Sequence, residues 1–360
     1  MIKVCIMKLK TIDLFSGGGG LSLGFKNAGF KIAAAFDNWD PAIALYKQNF
    51  KDHPILKCDL ADLNAFKEVS NYAPDIIIGG PPCQDFSSAG KRDESLGRAD
   101  LTVAYANIIS KIRPSFFLME NVERAYKSKA FAQAKSIFKK EGYGLTIKIL
   151  DASFCGVPQL RKRLFVIGEL NGDDGFLDAS LDHHLASKPM TLRDYFGNSL
   201  GIEHYYRHPR SYARRGVFSI DEPSSTVRGV NRPVPTGYPG HSGDTCPITY
   251  NIRPLTTKER SMVQTFPEYF KLEGSKTELE QIIGNAVPVK LAEYVATRLK
   301  EYLFLKGIIS ELEVKERSIQ FPSTPKYQRR LATLRSIHKE SQKNTSPFWA
   351  SNENVAILGK

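Results

Sequence analysis

Short apolar runs alternate with helical segments over the first half of the chain, and this alternation constrains the fold more than any other feature. Strands are predicted at 9–14, 31–36, 75–79, 116–120, 146–151 and 163–168. Helices are predicted between several of them, at 21–28, 41–49, 101–112 and 129–141. Strands and helices that alternate at this length favour the α/β class, with a doubly wound and mostly parallel sheet.

The pattern changes after the last of these strands. From about 171 to 250 the chain is rich in Gly, Pro, His, Tyr and Arg and lacks helical periodicity. Helical character resumes at 253–266, and a long helix follows 284–288. We therefore expect four parts, namely a sheet domain at 1–168, a smaller loop-rich domain at 169–278, a returning helix at 279–308 and a basic, polar tail at 309–360.

Composition narrows the classes of partner and of site. The chain of 360 residues carries a net charge of +12, which favours a polyanionic partner such as nucleic acid, although solubility alone also explains it. The five cysteines are scattered and form no C-x-x-C pair. They argue against a disulfide framework and a structural zinc site, and they fit a reducing cytoplasm. No apolar run approaches the ~18 residues that span a bilayer.

One cysteine stands on a stiff turn. The sequence Gly79-Gly80-Pro81-Pro82-Cys83-Gln84 follows the apolar run 76–78. Two glycines let the backbone turn and two prolines restrict the next step, so that Cys83 is presented at the carboxyl end of a strand. Open α/β sheets bind their ligands at that edge. The cysteine is either a reactive thiol or a buried structural residue.

A glycine cluster, Gly17-Gly18-Gly19-Gly20, follows the first strand and Phe15-Ser16 and opens a helix. An adenosine-containing cofactor docks at this place in such sheets, although the cluster is also compatible with a plain tight turn. The dinucleotide pattern G-x-G-x-x-G is not met, because Ser22 stands where the third glycine belongs. An NAD enzyme is therefore disfavoured.

Acidic residues follow the second and third predicted strands. Asp37 precedes Asn38 and Trp39, and Asp59 follows the apolar pair at 55–56. A carboxylate at such a position accepts hydrogen bonds from ribose hydroxyls, and an indole ring stacks on adenine. Asp59 is a candidate for the adenine amino group. The alternative is a helix N-cap by Asp37 or Asp40 with a buried tryptophan.

Two further elements carry charge next to apolar strands. Glu120 directly follows the apolar run 116–119. Burial at such a position raises the pKa of a carboxyl and lets it donate a proton. The alternative is that Glu120 serves as a helix cap or as a salt-bridge partner. Gln159, Arg161 and Arg163 have period two, which places them on one face of a strand. The alternative is a charge-laced edge strand.

The order of these elements is more specific than any one of them. The series begins with the glycine turn, the acidic residue with tryptophan, Pro-Pro-Cys, Glu-Asn-Val and Gln-x-Arg-x-Arg, in that order. It continues with the irregular region, Arg253-Pro254-Leu255-Thr256 and Gly284-Asn285-Ala286-Val287-Pro288. In this order the chain resembles the cytosine carbon-5 DNA methyltransferase family, from about residue 9 to 303. The resemblance implies the Rossmann-like sheet of S-adenosylmethionine-dependent methyltransferases, S-adenosylmethionine as methyl donor, a catalytic cysteine and a small DNA-recognition domain.

The resemblance also implies roles for individual residues, with no metal required. The implied catalytic residues are Cys83, Glu120, Arg161 and Arg163. The implied cofactor-binding residues are Phe15, Ser16, Gly17, Gly19, Asp37, Trp39, Asp59, Pro81, Asn285 and Ala286. The implied DNA-binding residues are Gln84, Ser87, Arg228 and Arg232.

Two positions depart from the family pattern. The family usually has Glu at the end of the second strand, where this chain offers Asp37 or Asn38. We favour Asp37 for the ribose because it keeps the carboxylate. The late glycine element commonly has Ser where this chain has Ala286, which is a mild change.

The implied reaction is methylation of carbon-5 of a cytosine flipped out of duplex DNA. The Cys83 thiolate adds to carbon-6, Glu120 protonates ring N3, and Arg163 with Arg161 positions the base. The segment 84–92 has the polar, glycine-containing character of a mobile loop. We expect it to close over the DNA, with Gln84 or Ser87 in the vacated space or on the backbone.

The irregular region is expected to read the DNA site. Its arginines at 207, 210, 214, 215, 228 and 232 interleave with His204, Tyr205, Tyr206, His208 and Tyr212. Arginine contacts guanine edges or phosphates, and the sequence does not assign which residue does which. The short region favours one compact site, and 223–228 is expected to belong to its framework.

The expected partners are double-stranded DNA and S-adenosylmethionine, bound by a monomer in a bacterial cytoplasm. Pairing with a restriction endonuclease that acts on the same site, without a stable complex, follows from the family alone. A transfer-RNA cytosine-5 methyltransferase is disfavoured by the Arg/Tyr-rich insertion. A non-catalytic DNA-binding module is disfavoured because Cys83, Glu120 and Arg163 occur together.

Overall fold

A computed structural model describes residues 9–82, 101–248 and 251–308. These residues fall into two compact units that are divided between Leu299 and Lys300. The unit that ends at Leu299 contains the sheet and every contact discussed below. Within the described residues, no helix is long and apolar enough to cross a membrane.

The elements of the described residues follow the predicted alternation. The strands are β1 Lys10–Leu14, β2 Lys31–Asp37, β3 Ile55–Lys57, β4 Ile76–Gly79, β5 Phe116–Val122, β6 Tyr143–Asp151, β7 Gln159–Leu160, β8 Lys162–Leu170, β9 His204–Tyr206, β10 Val217–Ser219 and β11 Ser224–Ser225. The helices are α1 Gly20–Asn27, α2 Asp40–Asn49, α3 Ala65–Ser70, α4 Leu101–Ile112, α5 Lys129–Lys140, α6 Asp178–His183, α7 Leu192–Phe196, α8 Thr257–Val263, α9 Lys276–Asn285 and α10 Val289–Leu305.

Strands of the described part form a seven-stranded sheet in the order β3-β2-β1-β4-β5-β8-β6. Strand β8 runs antiparallel to its neighbours β5 and β6, whereas the other pairings are parallel. All six predicted strands lie in this sheet. The predicted α/β class with a doubly wound, mostly parallel sheet is therefore confirmed.

The sheet is buried on both faces, as a doubly wound fold requires. Successive side chains of a strand point to opposite faces, and in β2 Ala34 and Phe36 pack in one apolar cluster while Ala35 packs in another. Strand β4 is a continuous isoleucine run with 0% exposure at Ile76, Ile77 and Ile78. A run of this kind is typical of a parallel strand covered from both sides.

The chain reverses direction across the sheet at β1. It passes from β1 to β2 and β3 on one side and returns to β4 and β5 on the other. Leu14, the last residue of β1, pairs with Phe36 of β2 and with Gly79 of β4. The carboxyl ends of three strands are therefore level at the point where open α/β sheets bind their ligands.

The late helices differ from the prediction. The helix predicted at 253–266 is shorter, because a capping box between Thr256 and Glu259 fixes the start of α8. The region 279–306 contains the expected long helix α10, but the preceding helix α9 was not predicted. Between them Ala286 is extended (ψ 145°), and the residue before Pro288 is also biased away from helix.

The region 171–248 has the expected short strands and also two short helices, α6 and α7. Its apolar side chains, among them Leu192, Tyr205 and Phe218, form a cluster that also includes Val263 and Ile283. This cluster joins the irregular region to α8 and α9. A separate recognition domain at 169–278 stays a prediction.

Candidate active site

The turn between β1 and α1 has an unusual backbone. Phe15, Gly17 and Gly19 have φ values of 56°, 52° and 83°, a region that suits glycine and strains phenylalanine. A Cβ atom at Gly20 would lie 2.2 Å from the carbonyl oxygen of Val287. Glycine at that position therefore lets a segment from the end of the chain touch the turn.

Two backbone amides hold the carboxylate of Asp37 at the end of β2. Its Oδ2 accepts from the amide of Gly17 at 2.8 Å, and its Oδ1 accepts from the amide of Trp39 at 2.9 Å. Trp39 is the N-cap residue of α2 and makes no side-chain cap bond. The alternative of a helix cap by Asp37 is therefore wrong, and Asp40 instead pairs with Lys57.

These groups line a cavity of about 230 Å³, which we call the switch-point cavity. Eight of the ten predicted cofactor residues line it, namely Phe15, Ser16, Gly17, Asp37, Trp39, Asp59, Asn285 and Ala286. The other lining residues are Gly18, Gly20, Leu21, Asn38, Cys58, Leu60, Gly80, Pro82, Leu101, Glu120, Ile282 and Val287. Most of these stand next to a predicted residue, on the same strand end or turn.

Gly19 and Pro81, which are also predicted to bind the cofactor, are not among the residues that line the cavity. A Cβ atom at Gly19 would lie 2.4 Å from the ring of Phe50, so this glycine allows α2 to pack against the turn. Pro81 is buried, and its carbonyl oxygen accepts a hydrogen bond from Nδ2 of Asn121 at 3.1 Å. Both residues shape the turns that carry the lining residues.

A buried ion pair stands at the end of β5. Nε of Arg163 lies 2.8 Å from Oε1 of Glu120, and the glutamate is 7% exposed. Burial raises the pKa of Glu120 above its usual range, although Arg163 and then Arg161 act in the opposite direction. Glu120 is therefore a salt-bridge partner, one of the alternatives left open by the sequence. It also lines the switch-point cavity.

Cys83, Gln84 and Ser87 lie outside the described residues. The turn that leads to the cysteine is described as far as Pro82, which lines the switch-point cavity together with Gly80. A Cβ atom at Gly80 would lie 3.2 Å from Oε2 of Glu120, so glycine keeps room beside this carboxylate. In the ranges that the structure covers, no group of His, Cys, Asp and Glu side chains is arranged to hold a metal ion.

A second, wider cleft of about 920 Å³ adjoins the switch-point cavity and shares Asn285 with it. We call it the basic cleft, because its lining includes nine cationic residues, Arg124, Arg161, Lys162, Arg163, Arg207, Arg210, Arg214, Arg215 and Arg228, against two acidic ones, Glu123 and Asp151. Arg232 lines a smaller neighbouring pocket together with Arg228. A cleft with this excess of positive charge attracts a polyanion.

Residues 9–301 match the model of the C-5 cytosine-specific DNA methylase family. The chain belongs to this family. The methylase is 59% identical to Type II methyltransferase M.HindV of Haemophilus influenzae over 81% of this chain and 96% of that protein. It is 57% identical to Type II methyltransferase M.HgiDI of Herpetosiphon aurantiacus over 82% of this chain and 95% of that protein.

Solved structures support the fold of the methylase. The Dnmt2 methyltransferase of S. pombe superposes with a TM-score of 0.61 at 20% identity, covering 82% of this chain and 99% of that chain. The methyltransferase EhMeth of Entamoeba histolytica gives a TM-score of 0.58 at 19% identity, covering 84% and 99%. At this level of identity the likeness concerns the architecture of the sheet and its helices.

Arg161 of the methylase is buried and bonded to backbone. Its Nη1 donates to the carbonyl of Val227 at 3.0 Å, and its Nη2 donates to the carbonyls of Gly284 and Ala286, each at 3.0 Å. The prediction of one strand face for Gln159, Arg161 and Arg163 is wrong, because Gln159 lies on β7, Arg161 lies between β7 and β8, and Arg163 lies on β8, an interior strand of the seven-stranded sheet. The edge-strand alternative is therefore wrong for Arg163, and direct contact of Arg161 with a base stays a prediction.

The irregular region of the methylase contributes side chains of two kinds. Tyr205 and Tyr206 are 2% and 1% exposed and belong to the interior, because they lie on β9, which pairs with β10. Their rings therefore contribute to packing and not to the exposed surface. Arg210 and Arg214 are exposed in the basic cleft. Arg228 is partly buried there, with its guanidinium bonded to the carbonyl of His208.

A buried hydrogen-bonded chain was missed by the sequence reasoning. Oδ2 of Asp13 accepts from the hydroxyl of Ser22 at 2.6 Å, and Tyr46 donates to that hydroxyl at 2.7 Å. The Tyr46 hydroxyl also lies 2.7 Å from Nε2 of His53. The chain links β1, α1 and α2 beneath the glycine turn. A polar residue inside an apolar strand was the available signal.

Burial raises the pKa of Asp13 to about 7. A raised pKa in the folded state means that the protonated carboxyl favours folding. Its contribution to the free energy of unfolding is therefore largest in acid and is lost as the pH rises through about 7. We expect the free energy of unfolding of the wild type to fall more between pH 5 and pH 8 than that of Asp13→Asn. Urea unfolding at both pH values measures the difference, with Asp62→Asn at an exposed site as control. An equal pH dependence in wild type and Asp13→Asn would contradict the assignment.

Proposed function

We propose that this methylase transfers the methyl group of S-adenosylmethionine to carbon-5 of a cytosine flipped out of a specific duplex DNA site. The observation that carries the proposal is the buried Glu120–Arg163 pair, which lies where the switch-point cavity, the turn that leads to Cys83 and the basic cleft adjoin. In this proposal Glu120 is the proton donor, and it lines the switch-point cavity while its partner Arg163 lines the basic cleft.

The cavity fits an adenosine-containing methyl donor. Ser16 Oγ is buried and has no hydrogen-bond partner among the described residues, and a Cβ atom at Gly17 would meet nothing within 4 Å. An unpaired hydroxyl beside an open glycine backbone suits a polar ligand that approaches the turn closely. We assign the ribose hydroxyls to Asp37 and the adenine face to Trp39, with Asp59 near the adenine amino group.

In the proposed reaction, the protein makes carbon-5 of the cytosine nucleophilic. The Cys83 thiolate adds to carbon-6 of the ring while Glu120 protonates N3, so that a carbon–sulfur bond forms and carbon-5 becomes enamine-like. When bound, S-adenosylmethionine supplies an electrophilic methyl group. After methylation a base removes the proton from carbon-5, the carbon–sulfur bond to Cys83 breaks, and N3 returns its proton to Glu120, which releases the neutral product and restores both side chains.

Two features suit the residues near Glu120 to this step. Burial raises the pKa of the carboxyl above its usual range and so favours the protonated form. Arg163 holds one carboxyl oxygen at 2.8 Å, which fixes the group in place and leaves Oε2, the atom next to Gly80, toward the cavity. We assign Arg163 to positioning both the carboxyl and the base.

The basic cleft is proposed to bind the DNA backbone and to hold the flipped base near Glu120. Flipping costs a few kcal/mol of stacking and pairing, roughly the free energy of a few contacts to charged groups. Arg210 and Arg214 are exposed and suited to phosphates, whereas Arg228 is held by backbone and suited to a fixed contact. Gln84 or Ser87 is proposed to occupy the space that the flipped base vacates or to contact the DNA backbone.

We propose that the protein is the modification half of a type II restriction-modification system and acts as a monomer, with a nuclease that recognises the same site independently. Support comes from the two Type II methyltransferases to which it is 59% and 57% identical over nearly their full length. Methylation of transfer RNA is the second candidate. It is disfavoured because both relatives, each matched over more than four fifths of this chain, are Type II methyltransferases.

Bisulfite sequencing of DNA from bacteria that express the protein tests the proposal. We expect methylated cytosines at one sequence context with the wild type and none with Cys83→Ser, since a serine hydroxyl is a far weaker nucleophile than a thiolate at neutral pH. Transfer RNA from the same cells serves as the comparison substrate. Methylation that is confined to the RNA, or that survives Cys83→Ser, would refute the assignment.

The role of Glu120 predicts a selective loss of turnover. In Glu120→Gln the amide keeps the size of the side chain but cannot protonate N3, so kcat should fall by about 10²- to 10⁴-fold. Calorimetric affinity for S-adenosylhomocysteine should stay within about twofold, because a neutral neighbour of the ligand changes little in direct binding. Glu68→Gln, at an exposed site on α3, is the control. Turnover within threefold of wild type would remove Glu120 as the acid.

The role of Asp37 predicts the opposite pattern. Asp37→Ala removes a charged acceptor from the ribose and should weaken binding of S-adenosylhomocysteine about 10- to 100-fold, as expected for a hydrogen bond to a charged group. Binding to duplex DNA alone should not change. Asp40→Ala removes a nearby carboxylate that does not line the cavity, and it should bind the ligand as the wild type does. Equal affinities of the two variants would remove Asp37 from the ribose site.

A further inference from the structure

Two short segments that lie directly against each other stand between the switch-point cavity and the basic cleft, and Asn285 of the second segment lines both. Residues 227–229, here the recognition segment, line the basic cleft. Residues 283–287, here the late turn, contribute Asn285, Ala286 and Val287 to the switch-point cavity. A Cβ atom at Gly284 would lie 2.2 Å from the amide nitrogen of Gly229. The two backbones are therefore in contact, with no room for a side chain between them.

Two glutamine side chains connect these segments through the interior. Oε1 of Gln159 accepts from the amide of Val227 at 2.8 Å, and Nε2 of Gln159 donates to Oε1 of Gln264 at 2.7 Å. Nε2 of Gln264 in turn donates to the carbonyls of Ile283 at 2.6 Å and Ala286 at 3.1 Å. Both glutamines are 0% exposed.

Arg161 makes a parallel connection, because it donates to Val227 and also to Gly284 and Ala286. The carbonyl of Ala286 thus accepts from both Arg161 and Gln264. Since an unpaired buried amide or carbonyl costs about 1–3 kcal/mol, displacement of either segment alone would be unfavourable. The contacts favour movement of the two segments together.

We propose that Gln264 is a positioning residue that couples the DNA-recognition segment to the cofactor-lining late turn. Gln159 is the other half of this link. Occupancy of the basic cleft then changes the affinity of the switch-point cavity, and occupancy of the cavity changes the affinity for DNA by the same factor. The inference rests on the proposed function, because it takes DNA as the ligand of the cleft and an adenosine-containing methyl donor as the ligand of the cavity.

The link is tested by a thermodynamic cycle. The affinity for S-adenosylhomocysteine is measured by calorimetry with and without a duplex that carries the methylated context, and the ratio of the two affinities is the coupling factor. For the wild type we expect at least about a fivefold change, the lower end for coupled sites. In Gln264→Met, which keeps the volume but loses all three hydrogen bonds, the factor should fall to within about twofold of one.

Matched variants separate coupling from a loss of stability. Tyr143→Phe removes another buried hydrogen bond, from the tyrosine hydroxyl to the carbonyl of Pro114 at 2.7 Å, far along the chain from both segments, and should keep the wild-type factor. Gln159→Met should lower the factor as Gln264→Met does, and the double variant should lower it no further, because both belong to one chain of bonds. A wild-type factor in Gln264→Met, or a factor near one in the wild type, would overturn the proposal.

Hydrogen exchange of the wild type tests the link without any substitution. The recognition segment does not line the switch-point cavity, so a ligand in the cavity reaches it only through other residues. S-adenosylhomocysteine alone, without DNA, should slow exchange at the amides of residues 227–229 by at least about threefold. No change there would overturn the link. Because this measurement needs neither DNA nor turnover, it remains decisive even if no methylated cytosine is found and the proposed function fails.

Discussion

The site depends on the close approach of the late turn to two distant parts of the backbone. The carbonyl of Val287 occupies the space where a Cβ of Gly20 would stand, and Gly284 lies against the backbone of residues 228 and 229. Any larger side chain at either glycine would displace backbone, because the atoms in the way are carbonyl oxygen, carbonyl carbon and amide nitrogen. Residues near the end of the described chain thereby complete a cavity that begins at β1.

The antiparallel direction of strand β8 explains how Arg163 comes to lie at the edge of the sheet where the parallel strands end. The carboxyl ends of the parallel strands carry Asp37, Gly79 and Glu120, and an antiparallel strand brings its amino end to the same edge. Val122 of β5 pairs with Arg163 near the start of β8, so that Arg163 lies beside Glu120. Burying the carboxylate is unfavourable, and the arginine at 2.8 Å offsets part of that penalty.

Most of the sheet and most of the cavity were predictable because they follow from local patterns. Continuous apolar runs marked β4 and β5, and the residues just after them were the ones that line the site. The exceptions are contacts over long sequence distances. The packing of separate elements decides that Gly19 leaves room for the ring of Phe50 and that Gln264 donates hydrogen bonds to residues 283 and 286. The burial of Tyr205 and Tyr206 was not predictable for a related reason, since aromatic residues suit a buried strand as well as a DNA surface.

Arg161 combines a structural and an electrostatic effect in one side chain. Its hydrogen bonds join Val227 to the late turn, while its charge acts through space to lower the pKa of Glu120, as that of Arg163 does. The remaining links between the segments are made by the neutral amides of Gln159 and Gln264. Among the described residues, the side-chain hydrogen bonds to the late turn come from one cation, Arg161, and one neutral amide, Gln264. A second cation in place of either amide would lower the pKa of Glu120 further and favour the ionised form, which cannot donate a proton.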